Sequence, residues 1–283
     1  MRFLSIQSHV AYGHVGNSAA VFPLQRIGHE VWPVLTVNFS NHTGYGSWGG
    51  PLIPADDVRA VVQGIEDRGV LGTVDGVLSG YLGGEEIVDV VIDAVARVKA
   101  ANPSATYTCD PVMGNATSGC FVAPTIPPLI REKALPHADI LTPNQFELGF
   151  MTETSPDTID STLESADRVR DLGPRTVLVT SVLRPDREDD TIEMLAVDDE
   201  GAWILQTPRL PFKANGSGDV TSAVFTAHYR ETGSAATALE RTASSVFDLL
   251  QTTLDSGERE LRLVQAQDAF AHPRMQFSAR QVR

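Results

Sequence analysis

Short β-rich runs alternate with segments of helical period along most of this chain, and few architectures accommodate that rhythm. The clearest runs are Phe3 to Gln7, Val31 to Val37, Gly76 to Ser79, Thr106 to Cys109, Ile140 to Thr142 and Thr176 to Thr180. Between them Val58, Val61, Val62 and Ile65 fall on one helical face, and Ile87, Val91, Ala94, Val95 and Val98 on another. Strand, helix and strand in succession form a parallel βαβ unit, so the pattern predicts an α/β fold with a mostly parallel central sheet flanked by helices. Near the C-terminal third, Glu193 to Val197 and Ala202 to Gln206 are adjacent runs joined by Asp198, Asp199, Glu200 and Gly201. They predict an antiparallel edge hairpin. Helices are expected from about Asp219 to Tyr229, Ala235 to Leu254 and Glu258 to Ala271. No repeat, low-complexity tract or linker interrupts the chain, so residues 1–283 read as a single domain.

Composition narrows the partners. With 42% hydrophobic and 20% charged residues the whole chain is expected to fold. A net charge of −14 repels phosphate backbones and anionic lipid, which argues against nucleic acid and membrane partners. Any phosphorylated ligand then needs a local device to hold it. Cys109 and Cys120 are too few for a disulfide framework and wrongly spaced for a zinc cluster, as expected for a reducing cytoplasm. Ser5, Gln7, Ser8 and His9 interrupt the apolar residues of the first ten, and no run approaches the ~20 apolar residues of a membrane span.

The local device is visible in Asn215-Gly216-Ser217-Gly218-Asp219-Val220-Thr221-Ser222-Ala223, a Gly-rich turn leading into a helix. Unpaired N–H groups and the helix dipole make such a turn an anion site without Lys or Arg. Asp219 in the first turn could take a proton from a hydroxyl while the N–H groups of Gly216, Ser217 and Gly218 hold the phosphoryl group under attack. Read alone, Asp219 could equally be a helix cap. Other strand ends supply the context. Asp110 follows the Thr106 to Cys109 strand, and Thr142, Asn144 and Glu147 follow the next, where polar residues of an open α/β sheet converge on one cleft. Gly44-Tyr45-Gly46-Ser47-Trp48-Gly49 imitates a dinucleotide fingerprint, but Gly50, Pro51 and Pro54 stand where the helix would have to begin. The G-x-x-x-x-G-K-[ST] phosphate loop is absent.

These segments together resemble the ribokinase superfamily, and within it the pyridoxal kinase family. The matching order runs through Ser5-Ile6-Gln7-Ser8-His9-Val10, Gly13-His14-Val15-Gly16-Asn17, Phe39-Ser40-Asn41-His42-Thr43-Gly44-Tyr45-Gly46 and Ser79-Gly80-Tyr81-Leu82-Gly83. It continues through Cys109-Asp110-Pro111-Val112-Met113-Gly114, Thr142-Pro143-Asn144-Gln145-Phe146-Glu147 and the Gly216 to Asp219 turn, and ends with Ala266-Gln267-Asp268, Pro273 and Phe277-Ser278-Ala279. The resemblance implies ATP-dependent phosphorylation of the hydroxymethyl group of pyridoxal, with Asp219 as the base. It implies that Ser8, His42, Thr43 and Tyr81 hold the pyridine ring. It implies that Asp110 and Glu147 organise Mg²⁺ largely through water, and that Asp110, Thr142, Asn144, Glu147, Thr180 and Ser181 line the nucleotide. It further implies a homodimer and leaves a requirement for K⁺ open.

The small polar stretch near residues 115–124 resembles the flap that closes over ATP, with Cys120 in it as a thiol that could add to an aldehyde or simply pack. Two departures stand out. Asn115 replaces the Asp that many members carry, and Ser217 replaces the common Thr. A hydroxymethylpyrimidine kinase on the same fold is the nearest alternative, although such relatives usually carry Cys where this chain has Asp219. A non-catalytic pyridoxal phosphate binder on the same scaffold is the other, and it would have lost the base or the anion turn.

Overall fold

A computed structural model describes residues 1–188 and 190–283 of the chain. In order, the first elements are β1 (Arg2–Val10), α1 (Asn17–Ile27), β2 (Glu30–Phe39), α2 (Ala55–Glu66), β3 (Gly76–Ser79), α3 (Glu86–Ala101) and β4 (Thr106–Cys109). A small hairpin, β5 (Gly114–Asn115) and β6 (Gly119–Cys120), precedes α4 (Ile126–Leu129), β7 (Ile140–Leu141), α5 (Gln145–Thr152), α6 (Ile159–Arg170) and β8 (Thr176–Val182). The chain continues through β9 (Thr191–Val197), β10 (Ala202–Pro208), α7 (Ser217–Thr232), α8 (Ala235–Ser256), α9 (Gln267–Ala271) and β11 (Arg280–Gln281).

Among the described residues, nine strands form one sheet in the order β11-β10-β9-β8-β7-β4-β3-β1-β2, and β5 and β6 form a separate pair. From β2 to β8 the neighbours are parallel, whereas β9, β10 and β11 are joined antiparallel. The expected hairpin is therefore β9 and β10. The outermost strand β11 was not expected, because two residues carry no readable period.

The central strands are buried on both faces, which is why they read as unbroken apolar runs. In β8, Val177 and Val179 pack on the side of α2, α3 and α6, while Leu178 faces Phe225 of α7 and Leu239 of α8. Phe3 of β1 likewise meets Leu24 of α1 and Ala223 and Ala227 of α7, while Leu4 and Ile6 point the other way. Of the predicted helical faces, Ile87, Val91, Ala94, Val95 and Val98 are all buried; on α2, Val58 and Val62 are buried but Val61 is half exposed. Val61 sits at the margin of the apolar stripe.

One predicted element is wrong. Glu258 to Ala271 is not a helix: Gly257 adopts φ 68 and ends α8, and the chain runs irregularly until α9 at Gln267. Leu261 and Leu263, two residues apart, are both buried against the α1 and α7 layer, a spacing that a helix cannot bury on one face. The false dinucleotide motif is as expected. Thr43–Tyr45 makes a single 3₁₀ turn, and Leu52 then bridges Val37, so no helix begins at the glycines.

Candidate active site

The carboxyl ends of the parallel strands face the N-terminus of α7. Gly216 stands just before this helix with φ 85, and a Cβ there would lie 1.8 Å from the His14 carbonyl oxygen, so only glycine fits. No side chain among the described residues caps α7. The N–H groups of Ser217 and Gly218 find no acceptor among the described residues, and a Cβ at Gly218 would meet nothing within 4 Å. Free donors thus open onto free space at the positive end of a 16-residue helix. The Ser217 hydroxyl is turned back onto the Ala214 carbonyl oxygen at 3.1 Å, so its backbone N–H is what it can offer a ligand.

Asp219 is half-buried beside this turn. Burial pushes its carboxyl up to about 6, while the Gly16 N–H and its own N–H favour the charged form. Two buried acids lie close enough to interact with it. Burial first, then the charges of Glu147 and Asp219, hold Asp110 well above the usual carboxylate range, and no donor among the described residues reaches the Asp110 side chain. Glu147 is pushed up to about 7 by burial against the opposing pull of three backbone N–H groups. Its Oε1 accepts from Met113 at 2.9 Å and Gly114 at 3.3 Å, and its Oε2 from Asn144 at 2.9 Å.

Buried hydroxyls fix α7 against the sheet. Thr142 and Ser222 lie 2.7 Å apart, and Thr226 donates to Thr108 at 3.0 Å. Two residues expected to line a nucleotide carry structural ties of this kind. The Thr142 hydroxyl is committed to α7. The Asn144 side chain caps α5 through the Glu147 N–H at 3.0 Å and donates to the Gly114 carbonyl at 2.8 Å. Thr180 is half-buried, and Ser181 is exposed with φ 55 where the register of β8 shifts. A non-glycine residue held in the left-handed region is costly and clusters at functional sites.

On the other side of Asp219, Ser8 is buried at the end of β1; a Cβ on Gly16 would strike both its carbonyl oxygen and its Oγ at 2.3 Å. Ser8 therefore borders the glycine whose N–H holds Asp219. Tyr81 packs on Val10, Val15, Val37 and Phe39, and burial raises its phenol. Beside it opens a cavity of about 420 Å³, also lined by Thr36, Leu82, Val112 and Val122, which does not include Asp219. His42 accepts the Gly44 N–H through Nδ1 at 3.0 Å, and burial lowers its pKa. A Cβ on Gly44 would lie 3.9 Å from the Asn215 side chain, so the loop carrying His42 and Thr43 reaches the anion turn.

The stretch expected to act as a flap contains the β5–β6 hairpin. Asn115 Oδ1 accepts the N–H groups of Thr117 and Ser118 at 3.1 and 3.0 Å and the Lys213 ammonium at 3.3 Å, so this side chain builds the turn and ties it to the segment before Gly216. Cys120 is exposed, its Sγ 3.9 Å from the Val122 carbonyl oxygen. Sequence reasoning missed Gly16 as a donor to Asp219, Ser222 as the anchor of Thr142, and Lys213. A glycine directly before a helix was the available sign for Gly16.

A proton acceptor in the first turn of a helix whose free N–H groups face the same space, with buried acids alongside, defines a small-molecule kinase on a ribokinase-like fold. A family model described as phosphomethylpyrimidine kinase matches residues 55–263. Proteins named pyridoxal kinase PdxY from Leifsonia xyli and Corynebacterium diphtheriae are 70% and 62% identical to this chain, each over 100% of both sequences. The structure of pyridoxal kinase from Leishmania donovani in complex with ADP and pyridoxine superimposes with a TM-score of 0.93 at 28% identity, covering 100% of this chain and 99% of that one. The chain belongs to the pyridoxal kinase family.

Proposed function

We propose that this enzyme transfers the γ-phosphoryl group of ATP to the 5′-hydroxymethyl group of pyridoxal, as one kinase domain acting in cytoplasmic vitamin B6 salvage. The observation that carries the reading is Asp219, whose carboxyl is poised near 6 beside the unpaired N–H groups of Ser217 and Gly218. The Asp219 carboxylate takes the proton of the hydroxymethyl group as its oxygen attacks. The N–H groups of Gly216, Ser217 and Gly218 receive the charge that builds on the transferring phosphoryl oxygens. Ser8, His42, Thr43 and Tyr81 hold the ring, and the segments at Asn144, Thr180 and Ser181 border the nucleotide.

Asp110 and Glu147 suit a hard divalent cation, since both are buried acids raised by the charge of Asp219, Asp110 by that of Glu147 as well, and positive charge relieves them. Glu147 already accepts three backbone N–H groups, and no three His, Cys, Asp or Glu side chains among the described residues converge as a ready ligand set. Both facts favour Mg²⁺ held largely through water, where it would neutralise phosphate charge. The family resemblance adds a homodimer, and K⁺ is a further cofactor to test.

The description of the matching family model keeps hydroxymethylpyrimidine as a rival substrate. Steady-state ADP release with pyridoxal, pyridoxine, pyridoxamine and hydroxymethylpyrimidine decides between them. Pyridoxal is expected to give the highest kcat/KM; a preference for the pyrimidine would reverse the assignment, and no ADP release with any of the four would leave a binding protein.

Cys120 sits on the flap hairpin with its thiol exposed. If the flap brings it to the ring, the thiolate adds to the aldehyde carbon of pyridoxal and the carbonyl oxygen takes a proton, giving a hemithioacetal. Cys120→Ser is then expected to weaken binding of pyridoxal but not of pyridoxine, which has no aldehyde. Equal effects on the two vitamers, measured by calorimetry, would return Cys120 to a packing role.

A further inference from the structure

The segment Arg259-Glu260-Leu261, where a helix was expected, touches each of the pieces that must come together around Asp219. The Glu260 carboxylate accepts the Tyr45 hydroxyl at 2.5 Å through Oε1 and the His14 N–H at 3.1 Å through Oε2. A Cβ on Gly13 would lie 2.1 Å from Glu260 Oε2, so the loop before α1 is moulded to this side chain. The Arg259 guanidinium lies 3.8 Å from the centre of the Tyr45 ring and donates to the Gly44 carbonyl oxygen at 3.3 Å. Leu261 is buried, and its Cδ1 is 3.3 Å from where a Cβ on Gly216 would stand.

Three loops from distant parts of the sequence therefore rest on one short stretch. The first, residues 40–50, carries His42 and Thr43. The second, residues 11–16, ends in the glycine whose N–H holds Asp219. The third is the anion turn itself. A hydrogen bond to a charged acceptor is among the stronger ones that a loop can use, and a guanidinium stacked on an aromatic face adds to it.

We infer that Glu260, with Arg259, is a positioning residue for the ring substrate: it clamps the loop bearing His42 and Thr43, through Tyr45, at a set distance from Asp219. This deepens the reading of the site as a pyridoxal kinase and rests on it. Glu260 touches neither the phosphoryl group nor the nucleotide: its bond to Tyr45 acts on ring binding, while its bond to the His14 N–H steadies the loop that holds Asp219, so the Tyr45 hydroxyl is the arm that reads ring binding alone.

Steady-state kinetics on the full-length enzyme tests this. Glu260→Ala is expected to raise the KM for pyridoxal about 10- to 100-fold, the weight of a hydrogen bond to a charged group, with the KM for ATP little changed and any fall in kcat smaller than the rise in KM. Tyr45→Phe should move the same constant in the same direction by less, and the double variant should be no worse than Glu260→Ala, because both remove one interaction. Glu260→Gln keeps one acceptor oxygen and should restore part of the loss. An unchanged KM for pyridoxal in Tyr45→Phe, which deletes a single hydroxyl and leaves the fold intact, would overturn the inference. So would a loss in Glu260→Ala confined to kcat or shared equally with ATP. Wild-type enzyme that turns over no pyridoxal would instead defeat the functional reading, and the two failures are told apart in the same assay.

Discussion

Asp219→Asn is expected to lower kcat by about 10²- to 10⁴-fold, the usual worth of a positioned general base, while nucleotide binding stays nearly intact. The amide keeps the shape and loses the proton acceptor. The pH dependence gives a second reading of the same group. With the Asp219 carboxyl near 6, kcat/KM for the wild type should fall as pH drops below about 6, and that limb should shift when the aspartate is replaced. Asp110 and Glu147 interact with Asp219, so the limb belongs to the set rather than to one residue.

The sign for stability is opposite to that of a salt-bridged acid. The folded pKa of Asp219 is raised above its unfolded value of 3.8, so the native state takes up the proton more readily, and stability falls as pH rises from about 4 to about 6. At pH 7 the wild type carries a half-buried, incompletely compensated charge that Asp219→Asn removes. The variant should therefore melt at a higher temperature than the wild type while being almost inactive, an exchange of stability for function. A variant that keeps half of normal turnover, or a melting temperature well below wild type at neutral pH, would remove Asp219 from this role.

Gly218→Pro is expected to cost roughly 10²- to 10³-fold in kcat, the effect of deleting one preorganised donor to a developing charge. Gly218 lies in the first turn of α7, where proline is tolerated because the N–H has no intrahelical partner, and its surroundings are open for 4 Å. Proline also restricts Ser217 before it, so the comparison needs Gly218→Ala, which adds a methyl group and keeps the N–H. Circular dichroism melts should confirm that both variants fold. If folded Gly218→Pro turns over as fast as Gly218→Ala, the Gly218 N–H does not stabilise the transferring phosphoryl group.

The residues under these two predictions were legible in the sequence for a physical reason. Gly216, Ser217, Gly218 and Asp219 are consecutive, and the free N–H groups of a helix start follow from local backbone geometry alone. Asp110, Thr142 and Glu147 were found because strand ends of an open parallel sheet must face one edge. What those side chains do there was not legible. Thr142 turned out to bind Ser222, 80 residues away, and Asn144 and Glu147 cap α5 and fasten the start of the β5–β6 hairpin. Each polar group had to satisfy its hydrogen bonds before it could serve a ligand, and its partners came from other elements.

The same distinction explains the misread helix. Leu261, Leu263 and Phe270 supply apolar residues that a local pattern can mistake for helical period, but Gly257 stops α8 and the leucines fill the space beside α1 and α7. The sequence by itself determined the strands of the main sheet other than β11, the helices α2, α3, α7 and α8, the helical cover of the sheet and the Gly-rich turn before α7, because these depend on period and on neighbouring residues. Only the tertiary structure decided that Glu260 meets Tyr45 across 215 positions and that the Gly16 N–H faces Asp219. Such pairings arise when distant segments close onto one core, and nothing in the local chemistry of either partner specifies the other.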